Sequence, residues 1–315
     1  MDRAKGKGQR AKVRVKVGLI LLTFALPLTF ALCLLPSLHA QNFKSRVDVI
    51  QVTATVVDAN GRLIKGLTKA DFRVWEDGDE QPISQFTDQR VPVSLGVLLD
   101  ASDSMRGQPM ADARVALDRF VTDLLEPDDE AFVATFSHFP KLAALWRRPP
   151  SAVAHALDDV QPSGGTAIYD ALASASSLFD RRAHARAAFV VVSDGADTAS
   201  DRTLQQAVDV IRRTDTFVYA IAIDDGQGAP GSRINADALR EITGMSGGYT
   251  EVVRSAAELG PATARIADEL NTQYTLGYSS TRRPDGAWRT LRVRVNKPDT
   301  FVRARRGYYA DVPKP

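Results

Sequence analysis

Val93-Ser94-Leu95-Gly96-Val97-Leu98-Leu99-Asp100 reads as a strand with little polar interruption, and Ala101-Ser102-Asp103-Ser104 follows it directly. An apolar run of this kind suits a strand covered on both faces. The loop after it gathers Asp100, Ser102 and Ser104 within five residues. One carboxylate and two hydroxyls are hard oxygens of the sort Mg²⁺ and Mn²⁺ take. Alone, such a loop says little, because Asp and Ser also crowd turns and helix caps. Two later segments are set in the same way. Gly164-Gly165-Thr166-Ala167 opens a helical stretch, and Val190-Val191-Val192-Ser193-Asp194-Gly195 ends a second apolar strand.

Outward from these loops, residues 92–271 alternate between strand and helix patterns. Strands are expected over Val93–Asp100, Ala131–Ser137, Leu142–Trp146, Ala188–Ser193, Phe217–Ile223 and Tyr249–Val252. Helices are expected over Met110–Leu125, Ala152–Val160, Ala167–Asp180, Thr203–Arg213, Ala236–Thr243 and Ala256–Leu270. This alternation predicts an α/β fold with a doubly wound, mostly parallel sheet. Such sheets bind ligands beyond the carboxyl ends of their strands, which is where Asp100 and Asp194 fall.

The flanks follow a different grammar. Residues 43–90 are strand-like, with a β-branched run from Val47 to Val57, a turn at Asp58-Ala59-Asn60-Gly61, and a hairpin closing at Glu76-Asp77-Gly78-Asp79. Residues 272–311 return to strands at Gln273–Tyr278, Trp288–Val295 and Val302–Tyr309. Neither flank alone offers enough strands for independent stability. The two are therefore expected to join as one discontinuous β-sandwich, with the α/β domain inserted between its halves.

The three loops, in this order and at these places, resemble the metal-ion-dependent adhesion site of von Willebrand factor type A domains. The resemblance covers about residues 92–271. Gly66-Leu67-Thr68-Lys69-Ala70-Asp71-Phe72, Tyr274-Thr275-Leu276-Gly277-Tyr278 and Arg306-Gly307-Tyr308-Tyr309 are similar to an exported bacterial subgroup of that family. The resemblance implies that Ser102 and Ser104 give hydroxyl oxygens directly to a Mg²⁺ or Mn²⁺ ion. It implies that Asp100 holds the ion mostly through water, and that Thr166 and Asp194 are further ligands, exchanging direct contact as the site opens or closes. A Glu or Asp carboxylate of a protein partner would complete the octahedron. Asp103 departs from the small neutral residue common at that position, and with Asp197 it adds negative charge to the rim.

Residues 1–40 stand apart. Arg3, Lys5, Lys7, Arg10, Lys12, Arg14 and Lys16 precede an apolar run from Val17 to Pro36, and Ala40 offers a cleavage residue. This is the pattern of a secretory signal peptide, or of an uncleaved N-terminal anchor. Either places the folded part outside the cytoplasm, periplasmic, secreted or tethered. Of 40 Lys/Arg and 38 Asp/Glu, the leader holds seven basic residues and Asp2. The remainder carries 33 against 37, a formal −4, so the overall +2 is no argument for nucleic-acid binding. The one cysteine, Cys33, lies in the apolar run behind the bulky Leu32, a poor setting for lipid attachment. The exported part therefore has no thiol for a disulfide or a metal.

The function expected is that of an exported binding protein, not an enzyme. Two other readings stay open. A hydrolase could be assembled from Ser102 or Ser104 with His138 and Asp194, although no Gly-x-Ser-x-Gly elbow is present. A scaffold could use the cation only to brace its loops. His155 and His184 read as solvated. Arg282, Arg283, Arg289, Arg292, Arg294, Lys297, Arg303, Arg305 and Arg306 in the last strands read as edge protection, or as a contact for an anionic envelope surface.

Overall fold

The structure, a computed structural model, describes residues 49–224 and 234–311. The leader at 1–40 and Cys33 lie outside them. Among the described residues no helix is long and apolar enough to cross a membrane.

Six strands form the central sheet: β5 (Val93–Asp100), β6 (Glu130–Phe136), β7 (Pro140–Arg147), β8 (Arg186–Ser193), β9 (Phe217–Ile223) and β10 (Thr250–Val253). Their order is β10-β9-β8-β5-β6-β7, parallel throughout except for β7, which returns antiparallel beside β6. Period-two alternation sends side chains to two separate cores. Val93, Leu95, Val97 and Leu99 of β5, with Val190 of β8 and Ile221 of β9, meet helices α1 (Gln108–Arg119) and α5 (Leu259–Leu270). Leu98, Phe189 and Val218 face α2 (Ile168–Ser176), α3 (Leu204–Arg213) and α4 (Ala236–Ser246) on the other side. Phe132, Trp146, Phe179 and Phe189 pack edge to face within this second core. Gly96 makes their room: a Cβ there would sit 2.5 Å from the Phe132 ring.

The flanks make two four-stranded antiparallel sheets. One has the order β13-β1-β11-β4, from Thr300–Ala304, Val49–Asp58, Tyr274–Ser279 and Ile83–Thr87. The other is β14-β12-β2-β3, from Gly307–Tyr309, Trp288–Val295, Phe72–Glu76 and Asp79–Gln81. Each sheet interleaves strands from both flanks, and Val52, Phe72, Val74, Tyr274, Leu276 and Leu291 form the core between them. This is the discontinuous β-sandwich beside the doubly wound sheet that the strand grammar led one to expect.

Three elements differ from expectation. The helix expected over Ala152–Val160 is a short 3-10 turn, Pro150–Val153, followed by turns, because His155 takes a left-handed φ of 63° that no helix accommodates. The helix expected to run through Leu125 is α-helical to Arg119 and then widens into a π turn over Phe120–Leu124. The single strand expected over Val302–Tyr309 is split between the two sheets at Arg305-Arg306, where Arg306 N–H bonds the Met245 carbonyl at 3.1 Å.

A buried polar network ties the sandwich to the inserted domain. Glu269 of α5 accepts from Thr55 Oγ1 and from Tyr219 OH, each at 3.0 Å, and pairs with Arg303 of β13. Gln273 Nε2 donates to Tyr219 OH at 3.0 Å, and its Oε1 accepts from Arg186. Several basic residues of the last strands are thus engaged within the chain: Arg282 with Asp79, Arg289 with Asp285, Arg303 with Glu269 and Arg305 with Asp215.

Candidate metal centre

The carboxyl ends of β5, β6 and β8 lie side by side, so the loops leaving them share one surface. Backbone bonds lock these loops together. Ala101 N–H reaches Phe136 O at 2.7 Å, Ser163 N–H reaches Ala101 O at 2.8 Å, and Asp103 N–H reaches Gly164 O at 2.9 Å. The 164–166 loop is clamped from its other side: Thr166 N–H donates to Thr198 Oγ1 at 3.1 Å, and the N–H groups of Thr198 and Ala199 return to Thr166 O. Gly164 is required at its position. It has φ +84°, and a Cβ there would stand 2.2 Å from His138 Nδ1.

Asp100 is fully buried at the end of β5. Its Oδ1 accepts Ser102 N–H at 2.8 Å and its Oδ2 accepts Ser193 Oγ–H at 2.5 Å. Ser104 Oγ–H donates to Asp194 Oδ1 at 2.7 Å, which uses its single proton. The two serine hydroxyls stand 3.0 Å apart, and the Ser102 hydroxyl also bonds the Asp100 carboxyl. The structure thus links Asp100, Ser102, Ser104 and Asp194 through hydrogen bonds. Thr166 lines the same cleft, of about 590 Å³, with Ser102, Ser104 and Asp194.

Burial pushes the Asp100 carboxyl up to about 7, and the nearby Asp194 charge adds to the rise. The hydrogen bonds from Ser193 and Ser102 oppose it. The described lining of the cleft contains Asp103, Asp112, Asp194 and Asp224, and no Lys or Arg. A buried carboxylate held only by neutral donors, with hydroxyls and a second carboxylate beside it, is a donor set that fits a hard divalent cation.

The cap interpretation of these loops finds no geometric support. Ser102 makes no side-chain cap bond to the short turn after it, and α2 begins behind Ala167 with no side-chain cap from its own strand. Instead, Asp197 and Ser200 reach across from the β8 loop: Tyr169 N–H donates to Asp197 Oδ2 at 3.0 Å and Asp170 N–H to Ser200 Oγ at 3.1 Å. Asp197 is therefore occupied at a helix N-terminus, where a carboxylate is favoured, and is not simply a rim charge. Asp103 is exposed and pairs with Arg106 at 2.6 Å. Thr198, Asp197 and Ser200 were not singled out as organisers of the site. The run Asp197-Thr198-Ala199-Ser200 is itself a turn signal that could have flagged them.

His138 is engaged differently from a catalytic base. Its Nδ1 accepts Gly165 N–H at 3.1 Å, while the serine hydroxyls bond to each other and to Asp194.

The chain belongs to the von Willebrand factor type A domain family, whose model matches residues 95–264, more than half of the sequence. Over 87 residues it is 37% identical to sll0103, an uncharacterised protein of Synechocystis sp.; that stretch is 27% of this chain and 20% of the relative's length. Its fold is similar to that of a von Willebrand factor type A protein from Catenulispora acidiphila, with a TM-score of 0.51 at 15% identity over 85% of this chain and 65% of that one. It is also similar to proximal thread matrix protein 1 from the mussel byssus, with a TM-score of 0.52 at 16% identity over 62% and 51% of the two chains. This chain thus spans about half to two thirds of those structures and a fifth of the curated relative. At such identities the structural likeness concerns the fold alone.

Proposed function

We propose that this chain is an exported binding protein that engages a carboxylate of a protein partner through Mg²⁺ or Mn²⁺. The residues that would hold the ion are Ser102, Ser104, Thr166 and Asp194, with Asp100 beneath them. When bound, the ion supplies an electrophilic position for an acidic side chain of the partner. The observation that carries the reading is the fully buried Asp100, which has only neutral hydrogen-bond donors and lies under a cleft with acidic lining. Each residue has a distinct task. Ser193 and the Ser102 backbone orient Asp100, the Ser102–Ser104–Asp194 chain aligns the upper donors, and Thr198 fixes the Thr166 backbone. Export rests on the leader, and the envelope is the compartment in which a partner would be met.

The test is calorimetric titration of Mg²⁺ into the full chain and into Asp100→Asn and Thr166→Ala. It is paired with recovery of partners from envelope extract in Mg²⁺ and in EDTA. Binding of one ion, with partner retention that needs both the ion and Thr166, supports the reading. A bound ion that changes stability but not partner retention would make it a structural brace. Turnover of an ester or peptide lost in Ser102→Ala would make the chain a hydrolase.

A further inference from the structure

Three donor groups converge at the other end of α1, away from the cleft. Asp118 lies on the last turn of α1, whose first turn carries Gln108 and Pro109 at the cleft. Ten residues of helix put the two about 15 Å apart along the axis. His155 and Asp158 come from the turn after Pro150–Val153. His155 Nδ1 stands 3.3 Å from Asp118 Oδ2 and 3.5 Å from Asp158 Oδ2, and one donor atom from each residue lies within 4.8 Å of the others.

We propose that Asp118, His155 and Asp158 form a second cation site, for a borderline transition ion of the Zn²⁺ class. The donor types select the class, and the spacing is compatible with it. A tetrahedral site with metal–ligand bonds of about 2.1 Å has edges of about 3.4 Å, and the two imidazole–carboxylate separations match it. An octahedral Mg²⁺ site with bonds of about 2.1 Å has edges nearer ~3.0 Å and prefers oxygen alone. An imidazole with two carboxylates suits Zn²⁺ instead.

The surroundings favour a cation there. Two carboxylates face one nitrogen, and a single ring proton satisfies only one of them well. The imidazole is set in place by the backbone. His155 holds its left-handed conformation while its N–H donates to Asp118 Oδ1 at 2.9 Å, leaving Oδ2 to face the ring. Arg114 Nη2 anchors the far end of the turn through Val160 O at 2.6 Å. Three protein ligands leave a fourth position for water or for a donor from another molecule.

The test is titration of Zn²⁺ against a chromophoric chelator, in excess Mg²⁺, with the full chain and with His155→Gly, Asp158→Asn and Thr166→Ala. Glycine accepts the positive φ, so His155→Gly removes the ring and keeps the backbone. Asp158→Asn is a second, exposed change should that variant misfold. The expected result is one Zn²⁺ equivalent that survives Mg²⁺ and Thr166→Ala, with affinity at least about tenfold weaker in both His155→Gly and Asp158→Asn. Loss of every Zn²⁺ equivalent in excess Mg²⁺ would overturn the proposal. So would an equivalent that keeps its affinity in both variants, which would leave the cluster a surface ion pair.

Discussion

Asp100 and Glu269 are both buried carboxylates, at opposite ends of the central sheet, and they are satisfied in opposite ways. Glu269, at the sandwich junction, has two hydroxyl donors and a guanidinium, from Thr55, Tyr219 and Arg303. Asp100 has only neutral donors, the hydroxyls of Ser193 and Ser102 and the Ser102 backbone N–H. Burial raises both carboxyls, but at Glu269 the Arg303 charge works against the rise, whereas at Asp100 the Asp194 charge adds to it. The junction brings its cation in the chain; in the function proposed above, the cleft takes one from outside.

The contrast can be broken most sharply at the junction. Arg303→Met strands a buried acid and should destabilise the fold by about 3 kcal/mol, read as a lower urea midpoint with unchanged slope. If stability barely moves, Glu269 is neutral in the fold and the two sites are alike. At the cleft the sign reverses with the ion. Wild type should gain about 2.7 kcal/mol when Mg²⁺ is raised to roughly a hundred times its dissociation constant, and Asp100→Asn should gain almost nothing, as thermal or urea unfolding would show.

Acidity sharpens the same point. In chelator, folding raises the Asp100 carboxyl from 3.8 to about 7, so the folded chain holds a proton that the unfolded chain has released. Its contribution to stability therefore falls as pH rises from about 4 to about 7, by up to about 1.4 kcal/mol per pH unit. The difference between wild type and Asp100→Asn isolates that slope from all other groups, and saturating Mg²⁺ should abolish it. The smallest effect belongs to Asp103. It is exposed and already paired with Arg106, so Asp103→Asn should change stability by less than about 0.5 kcal/mol. Loss of its rim charge in Asp103→Asn would show instead as faster association of an acidic partner at low salt, measured by stopped flow. Unchanged rates would remove Asp103 from the account.

The central sheet was legible because β5, β8 and β9 are nearly all apolar, and such runs have few other homes. The three site loops were legible because each follows such a strand or opens a helix. What sequence did not disclose are contacts made by residues far apart along the chain. Thr55 and Glu269 meet across 214 positions, and Asp118 and His155 across 37. His155 read as solvated, and its side chain is 74% exposed, yet its Nδ1 faces two carboxylates. The Ala152–Val160 segment has helix-favouring composition, and only a tertiary bond to Asp118 shows why His155 turns out of it.

The interleaving of the two flanks has a consequence for the order of assembly. β1 is hydrogen-bonded to β11 and β13, with Val49 opposite Ser279 and Asp58 opposite Thr300, so its partners are synthesised only after the whole inserted domain. Closing so long a loop carries an entropic cost that is lower once the intervening segment is compact. The inserted domain would thus fold first and bring the two flanks together. A chain cut after α5 would leave β1 and β4 as exposed edges, an aggregating product instead of a shorter working one.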